Sequence, residues 1–207
     1  MLDSTGWLLF LGAALIIAVT PGPGIFYVAA RTLAGGRNEG LASSLGTGLG
    51  GLVHVGAGAA GVSAVVMASA EAFTLLKIAG AVYLVWLGVK TIREARLAPP
   101  EVTVTGARRA LREGILVEAL NPKTAAFFLA FIPQFVDPAG SVAMQFIVLG
   151  LISVTLNTLA DVVVAFMASS ARTALARRPA IIRRMRQGSG LFICGLGLSL
   201  AFARRPS

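Results

Sequence analysis

Apolar residues along this chain come in six long runs divided by short polar stretches, and none of the runs alternates with the period of a strand. Between Asp3 and Arg31 no charged side chain occurs. Between Glu39 and Glu71 the only ionisable group is His54. The third run lies near Phe73 to Val89, with Lys77 close to one end, where a long side chain can snorkel. The fourth lies near Ile115 to Val136, the fifth within Ala139 to Ala171, and the sixth near Gly188 to Ala203. About 20 apolar residues cross a bilayer as a helix. The pattern therefore predicts an all-α polytopic membrane protein of six transmembrane helices, a single integral membrane domain over 1–207.

Two of the runs are interrupted. Thr20-Pro21-Gly22-Pro23-Gly24 breaks the first, and Asn121-Pro122-Lys123 breaks the fourth. Proline removes a backbone donor and forces the chain off helical geometry. In lipid every backbone N–H and C=O needs a partner, so a break is tolerated where it is buried in protein or lines a wet cavity. Matching breaks in two halves point to a transporter binding site. The echo continues beyond the breaks. The second and fifth runs each carry one ionisable residue, His54 and Asp161, and Gly80…Leu87-Gly88 is echoed by Gly190…Leu196-Gly197. Three helices per half is an odd number, so the second half runs inverted. The expectation is a 3+3 inverted repeat with halves of about 5–97 and 107–205, joined through Ala98 to Gly106.

Composition supports the membrane assignment. The chain is 56% hydrophobic and 13% charged, with mean hydropathy +0.82, whereas soluble domains carry about 25% charged residues. The net charge of +9 would suit nucleic acid. Its distribution argues otherwise: fourteen of the 18 Lys and Arg residues lie in the connections after the first, third and fifth runs. Those connections are expected in the cytoplasm, with both termini outside; Arg204 and Arg205 run mildly against this. Cys194 stands alone, so no intramolecular disulfide or Cys-x-x-Cys pair exists, and a buried inert thiol is expected. Met1 to Gly6 lacks the basic start of a cleavable signal, so the first run is expected to stay as a membrane helix.

The candidate site residues follow from position. Pro21, Gly22 and Pro23 free backbone groups that either face a substrate or shape a packed kink; the half-helix after Pro23 attracts a carboxylate through its dipole. Asn121, Pro122 and Lys123 add an amide and a cation. Lys123 either binds a substrate carboxylate or snorkels to the headgroups, and Glu118 reads as a residue of the cytoplasmic rim. Asp161 lies well inside the fifth run with no base near it in sequence. Intramembrane acids mark ion or proton pathways by default; the alternative is a structural partner to Lys123 or Asn157. His54 is either a proton relay or a hydrogen-bonded packing residue. One histidine and one cysteine supply no typical metal set. Gly46, Gly50, Gly58 and Gly61 form small-residue rows suited to close helix packing.

With these residues in place, the chain resembles the LysE/RhtB family of amino-acid exporters. The matching stretches are Thr20-Pro21-Gly22-Pro23, Gly40-Leu41 leading to Gly46-x-Gly48, and Gly80-Ala81-Val82-Tyr83-Leu84…Leu87-Gly88. In the second half they are Asn121-Pro122-Lys123 with Phe127-Phe128, and Ile132-Pro133-Gln134-Phe135-Val136-Asp137-Pro138. The resemblance spans roughly Trp7 to Phe202. It implies a non-enzymatic, multi-pass exporter of the bacterial inner membrane that moves small amino acids such as lysine, threonine, homoserine or its lactone. Proton exchange would drive it, with no cofactor beyond the proton motive force. Partners are then the substrate, protons and the bilayer, and a homo-oligomer is compatible with this plan. One departure matters: family members often carry Asn, Asp or another residue after the Pro-Gly-Pro, where this chain has Gly24. An uncoupled channel and an exporter of another small metabolite are the competing readings. A thiol-redox carrier lacks its cysteine pair, a metal permease its ligands, and an intramembrane enzyme its catalytic set.

The charge pattern predicts sidedness. A cysteine placed at Ser141 should be labelled from outside by an impermeant thiol reagent, and one placed at Ala180 should not. The reverse pattern overturns the orientation.

Overall fold

A computed structural model describes residues 3–68, 70–95 and 104–170, with 183–184, 187–188, 190–191, 193–195 and 197–198; for 62–68, 70–73, 76–77 and 80 it describes the backbone alone. The side chain of Lys77, most of the expected linker, Arg96, Arg172, Arg177, Arg178, Arg186, Arg204 and Arg205 fall outside the described residues.

Helix α1 (Ser4–Val19) opens on Asp3, whose carboxylate accepts a hydrogen bond from Gly6 N at 2.7 Å and so satisfies a first-turn donor. It stops before Pro21 and Pro23, which have no N–H to continue it. Helix α2 (Pro23–Ala68) starts with proline at its first position, where the missing donor costs nothing. Gly36 takes φ +78, a left-handed value that a side chain resists, and divides α2 into arms 23–35 and 37–68. The first predicted run is thus α1 with the first arm, and the second run is the second arm; α1 and Pro23–Gly61 are bent by 42° at the break.

Helix α3 (Ala70–Glu94) follows. Helix α4 (Ala107–Ala119) and helix α5 (Pro122–Ala126) meet at Asn121 and are bent by 40°. A π turn (Phe127–Phe131) and a 3-10 turn (Ile132–Phe135) continue α5, and Pro133 withholds its N–H there. Helix α6 (Val142–Ser170) is continuous. The described parts of the last run are helical. Among the described residues, α6 alone qualifies as a span by length and apolar composition, and the two bent pairs qualify if each counts as one.

Two sequence expectations need correction. The fourth run begins at Ala107 rather than Ile115, so Arg108, Arg109 and Arg112 lie on the first turns of α4 and not in a loop. Ala, Leu, Arg and Glu all favour helix, so a basic stretch with that composition continues the helix outward. Arg31 is likewise helical and only 5% exposed. It pairs with Glu113, donates from Nη1 to Thr105 Oγ1 at 2.7 Å and lies 3.8 Å from Glu39 Oε2. Glu39 Oε1 in turn accepts from Thr105 N and Gly106 N. This cluster ties the start of α4 to the Gly36 bend.

Glycines bring the helices together, as expected where lipid gives no hydrophobic drive for association. The second arm of α2 lies between α4 and α6. Gly46 and Gly50 face the carbonyls of Leu111 and Ile115, and Gly58 faces the Phe146 ring. At Gly61 an added Cβ would meet nothing within 4 Å among the described residues. On the far side Gly88 meets Gly190 and Cys194, and Gly197 meets Ala81 and Val85. The two echoed glycine motifs therefore pack on each other, running antiparallel.

A Cβ at Gly46 would collide with the Leu111 carbonyl, and a backbone atom cannot swing aside. Gly46→Val should destabilise the detergent-solubilised protein by about 1–3 kcal/mol, as overpacking does. Thermal melting measures this; an unchanged midpoint would mean that α4 slides freely on α2.

Candidate functional site

The site begins with two absent hydrogens. In a helix the N–H of residue i bonds the carbonyl of residue i−4. Pro21 therefore leaves Ile17 O without its donor, and Pro122 leaves Glu118 O without its own. Each carbonyl is satisfied instead by a side chain from the other half of the chain. Lys123 Nζ donates to Ile17 O at 3.1 Å and to Thr20 O at 2.9 Å. His54 Nε2 lies 2.8 Å from Glu118 O; the carbonyl accepts, so Nε2 carries the proton. Asn121 N also reaches Glu118 O at 2.9 Å.

The charges match the helix ends they meet. The Lys123 cation, 3% exposed, sits on the carbonyl end of α1, where the helix dipole is negative. Glu118 is 2% exposed. Its Oε2 accepts from Asn121 Nδ2 at 2.8 Å, and its Oε1 from Thr124 Oγ1 at 2.6 Å. A Cβ at Gly24 would stand 2.7 Å from Glu118 Oε2, so the bare glycine in the first turn of α2 is what admits the carboxylate. Asn121 also caps α5, its Oδ1 accepting from Lys123 N at 3.0 Å. Asp161 has no exposed surface; Oδ2 accepts from Thr47 Oγ1 at 2.6 Å, and Oδ1 has no hydrogen-bond partner among the described residues.

Glu118, Lys123 and Thr47 border a cavity of about 20 Å³, lined also by Ile17, Phe128, Ser153 and Asn157 among others. That is room for a water molecule and not for an amino acid. Phe127, which lines this cavity, stacks on Phe131 at 5.1 Å between centroids, and Phe131 meets Phe135 at 5.2 Å in a tilted contact. Phe135 in turn lines a second cavity of about 220 Å³ with Trp7 and Ser141.

The structure thus brings Lys123, Asn121, Pro122 and His54 to one place, with Pro21 and Gly22 against the Lys123 arm. Pro23 is exposed and faces away. Lys123 is buried against the carbonyl end of α1 rather than extended to the protein surface. Asp161 pairs with Thr47, not with Lys123 or Asn157. Glu118 corrects the rim assignment: the break at Leu120–Asn121 folds its carboxylate back over α5, a geometry that helical spacing does not anticipate. Sequence reasoning passes over Thr47 and Ser153 and offers Asn157 only as a partner for Asp161. A signal exists, because Ser153, Asn157 and Asp161 recur every four residues and so share one face of α6.

Residues 15–204 match the family model of the LysE type translocators. A Vibrio cholerae protein named as an uncharacterised membrane protein is 34% identical over 98% of this chain and the whole of its own length. A homoserine/homoserine lactone efflux protein of Salmonella typhimurium is 28% identical over 96% of this chain and 97% of its own. A threonine efflux protein of Escherichia coli is 31% identical over 66% of this chain and 71% of its own. No solved structure matches the chain.

If His54 stands in for the proline's missing donor, the two residues are energetically coupled. His54→Ala should cost about 1 kcal/mol in the wild type. In a Pro122→Ala background the backbone N–H restored at that position can donate to Glu118 O, and the same change should cost roughly nothing. Chemical denaturation in detergent gives the cycle; strictly additive costs would assign His54 another role.

Proposed function

The chain belongs to the LysE type translocators, and from that premise we propose that it is a secondary exporter of a small amino acid or derivative, carrying it out of the bacterial cytoplasm in exchange for protons. One observation carries the reading. Two proline breaks interlock around three buried ionisable groups, Lys123, Glu118 and Asp161. Ionisable groups at membrane depth are expensive and are kept for function. A zwitterion needs an acceptor for its ammonium and a donor for its carboxylate, and this pocket holds both. The names of the relatives supply candidate substrates: homoserine and its lactone, leucine and threonine.

The two bends of 42° and 40° at corresponding places support the six-span inverted repeat. In that plan the Arg31 cluster closes the cytoplasmic side and the phenylalanine stack the outer side. Closure at both ends favours a carrier over a channel, which needs a continuous path. Alternating access then consists of opening one seal at a time. Asp161 is the proton group of this scheme: it faces the cavity region through Thr47, and its Oδ1 has no hydrogen bond among the described residues.

Screening amino acids for resistance and efflux in a sensitive strain tests the exporter reading and finds the substrate. Asp161→Asn keeps the size and removes the titration. The variant should reach the membrane at normal levels, lose uphill efflux in vesicles with an imposed pH gradient, and retain substrate exchange. Pumping against a gradient with unchanged pH dependence would place the proton site elsewhere.

A further inference from the structure

The exporter reading leaves one contact unexplained. Lys123 is buried, yet among the described residues its ammonium is bound by two neutral carbonyls and makes no ion pair. A lysine kept for structure alone is expected to pair its charge when buried. Two carbonyls aimed at one ammonium are instead the arrangement that would hold any primary ammonium, including that of an amino acid.

Resting on that reading, we infer that Ile17 O and Thr20 O form the subsite for the substrate ammonium, and that Lys123 is its tethered occupant in the closed, substrate-free state. The pair arises from the break. Pro21 frees Ile17 O, and the extended backbone at Thr20, φ -71 and ψ 116, turns the second carbonyl to the same point. Both Ile17 and Lys123 line the cavity, so a molecule entering it meets the carbonyls where Lys123 now stands. The lysine arm is four flexible carbons long and can leave. Gly22 gives it passage, since a Cβ there would stand 3.1 Å from Lys123 Cδ and Cε and 3.2 Å from Nζ. Once displaced, the Lys123 cation remains in the cavity and meets the substrate carboxylate. Its return to the carbonyls expels the substrate ammonium and satisfies the two acceptors, so the empty carrier resets without exposing unpaired groups to an apolar surrounding.

The test uses n-propylammonium, a primary ammonium without a carboxylate, and tetramethylammonium, a cation without N–H donors. Purified protein is assayed by thermal shift, and efflux by inhibition. In the wild type the tethered arm competes at an effective concentration in the millimolar range, so propylammonium should bind weakly. Lys123→Met fills the arm's volume without its charge and should bind propylammonium roughly tenfold more tightly, saturably, with no gain for tetramethylammonium. Gly22→Ala keeps the lysine but crowds its arm. It should show a smaller gain in propylammonium binding, a lower half-saturation for the exported amino acid and slower turnover. Equal, weak propylammonium binding by the wild type and both variants overturns the subsite. Absence of efflux of any amino acid by the wild type overturns the exporter reading instead, while the binding comparison still reports on the subsite.

Discussion

A proline inside a membrane helix leaves one carbonyl without its helical donor, and the centre of this molecule is organised by two such carbonyls. An unsatisfied carbonyl in hydrocarbon costs several kcal/mol. Ile17 O and Glu118 O therefore need donors: Lys123 supplies one from the second half, and His54 supplies one from the first, beside the local Asn121 N. The two breaks are not independent kinks. Each break receives a hydrogen bond from the other half of the chain: Lys123 ties the end of α1 to the start of α5, and His54 ties the end of α4 to the second arm of α2. The glycine contacts at Gly46 and Gly50 make the second of these approaches close enough for the His54 bond.

The same breaks set the electrostatics. A broken helix presents fresh dipole ends inside the protein, a negative one at Thr20 and positive ones at Pro23 and Pro122. Lys123 occupies the negative end and Glu118 the positive ends. Neither charge forms a salt bridge among the described residues: Lys123 rests on two backbone carbonyls, and Glu118 on the Asn121 amide and the Thr124 hydroxyl. A site held by dipoles exchanges one ammonium for another with little rearrangement. A salt bridge would have to be broken first, at the desolvation cost of two buried ions.

The Arg31 cluster contrasts with this. There a guanidinium is matched to two carboxylates and a threonine hydroxyl, and the Glu39 carboxylate also gathers Thr105 N and Gly106 N. Such a cluster is a strong latch while intact, and its parts come from α2, α4 and the segment before α4. In the proposed scheme, parting α4 from α2 at that end would break several charge-assisted bonds together. Phe127, Phe131 and Phe135 meet through ring contacts instead, which carry no hydrogen bonds. The two proposed seals thus differ in kind, one ionic and one apolar.

Much of this was legible along the chain. Long uncharged runs require helices in a bilayer, and a Pro-Gly-Pro or Asn-Pro within a run requires a break, because both follow from local chemistry. The assignment of Asp161 to a deep position needed nothing more than its distance from polar stretches. The family could be named from the order and spacing of the motifs, which are local as well. What the chain could not show was partnership. Lys123 reads equally well as a snorkelling residue, since its partners stand 103 and 106 residues away. Glu118 reads as a rim residue, since its inward turn depends on the bend at Asn121. Arg31 reads as a loop cation, since its carboxylates lie on separate segments. Whether a charge faces lipid headgroups or another helix is decided by packing. Packing here rests on glycines whose neighbours are distant in sequence, so tertiary structure alone brought the two breaks face to face.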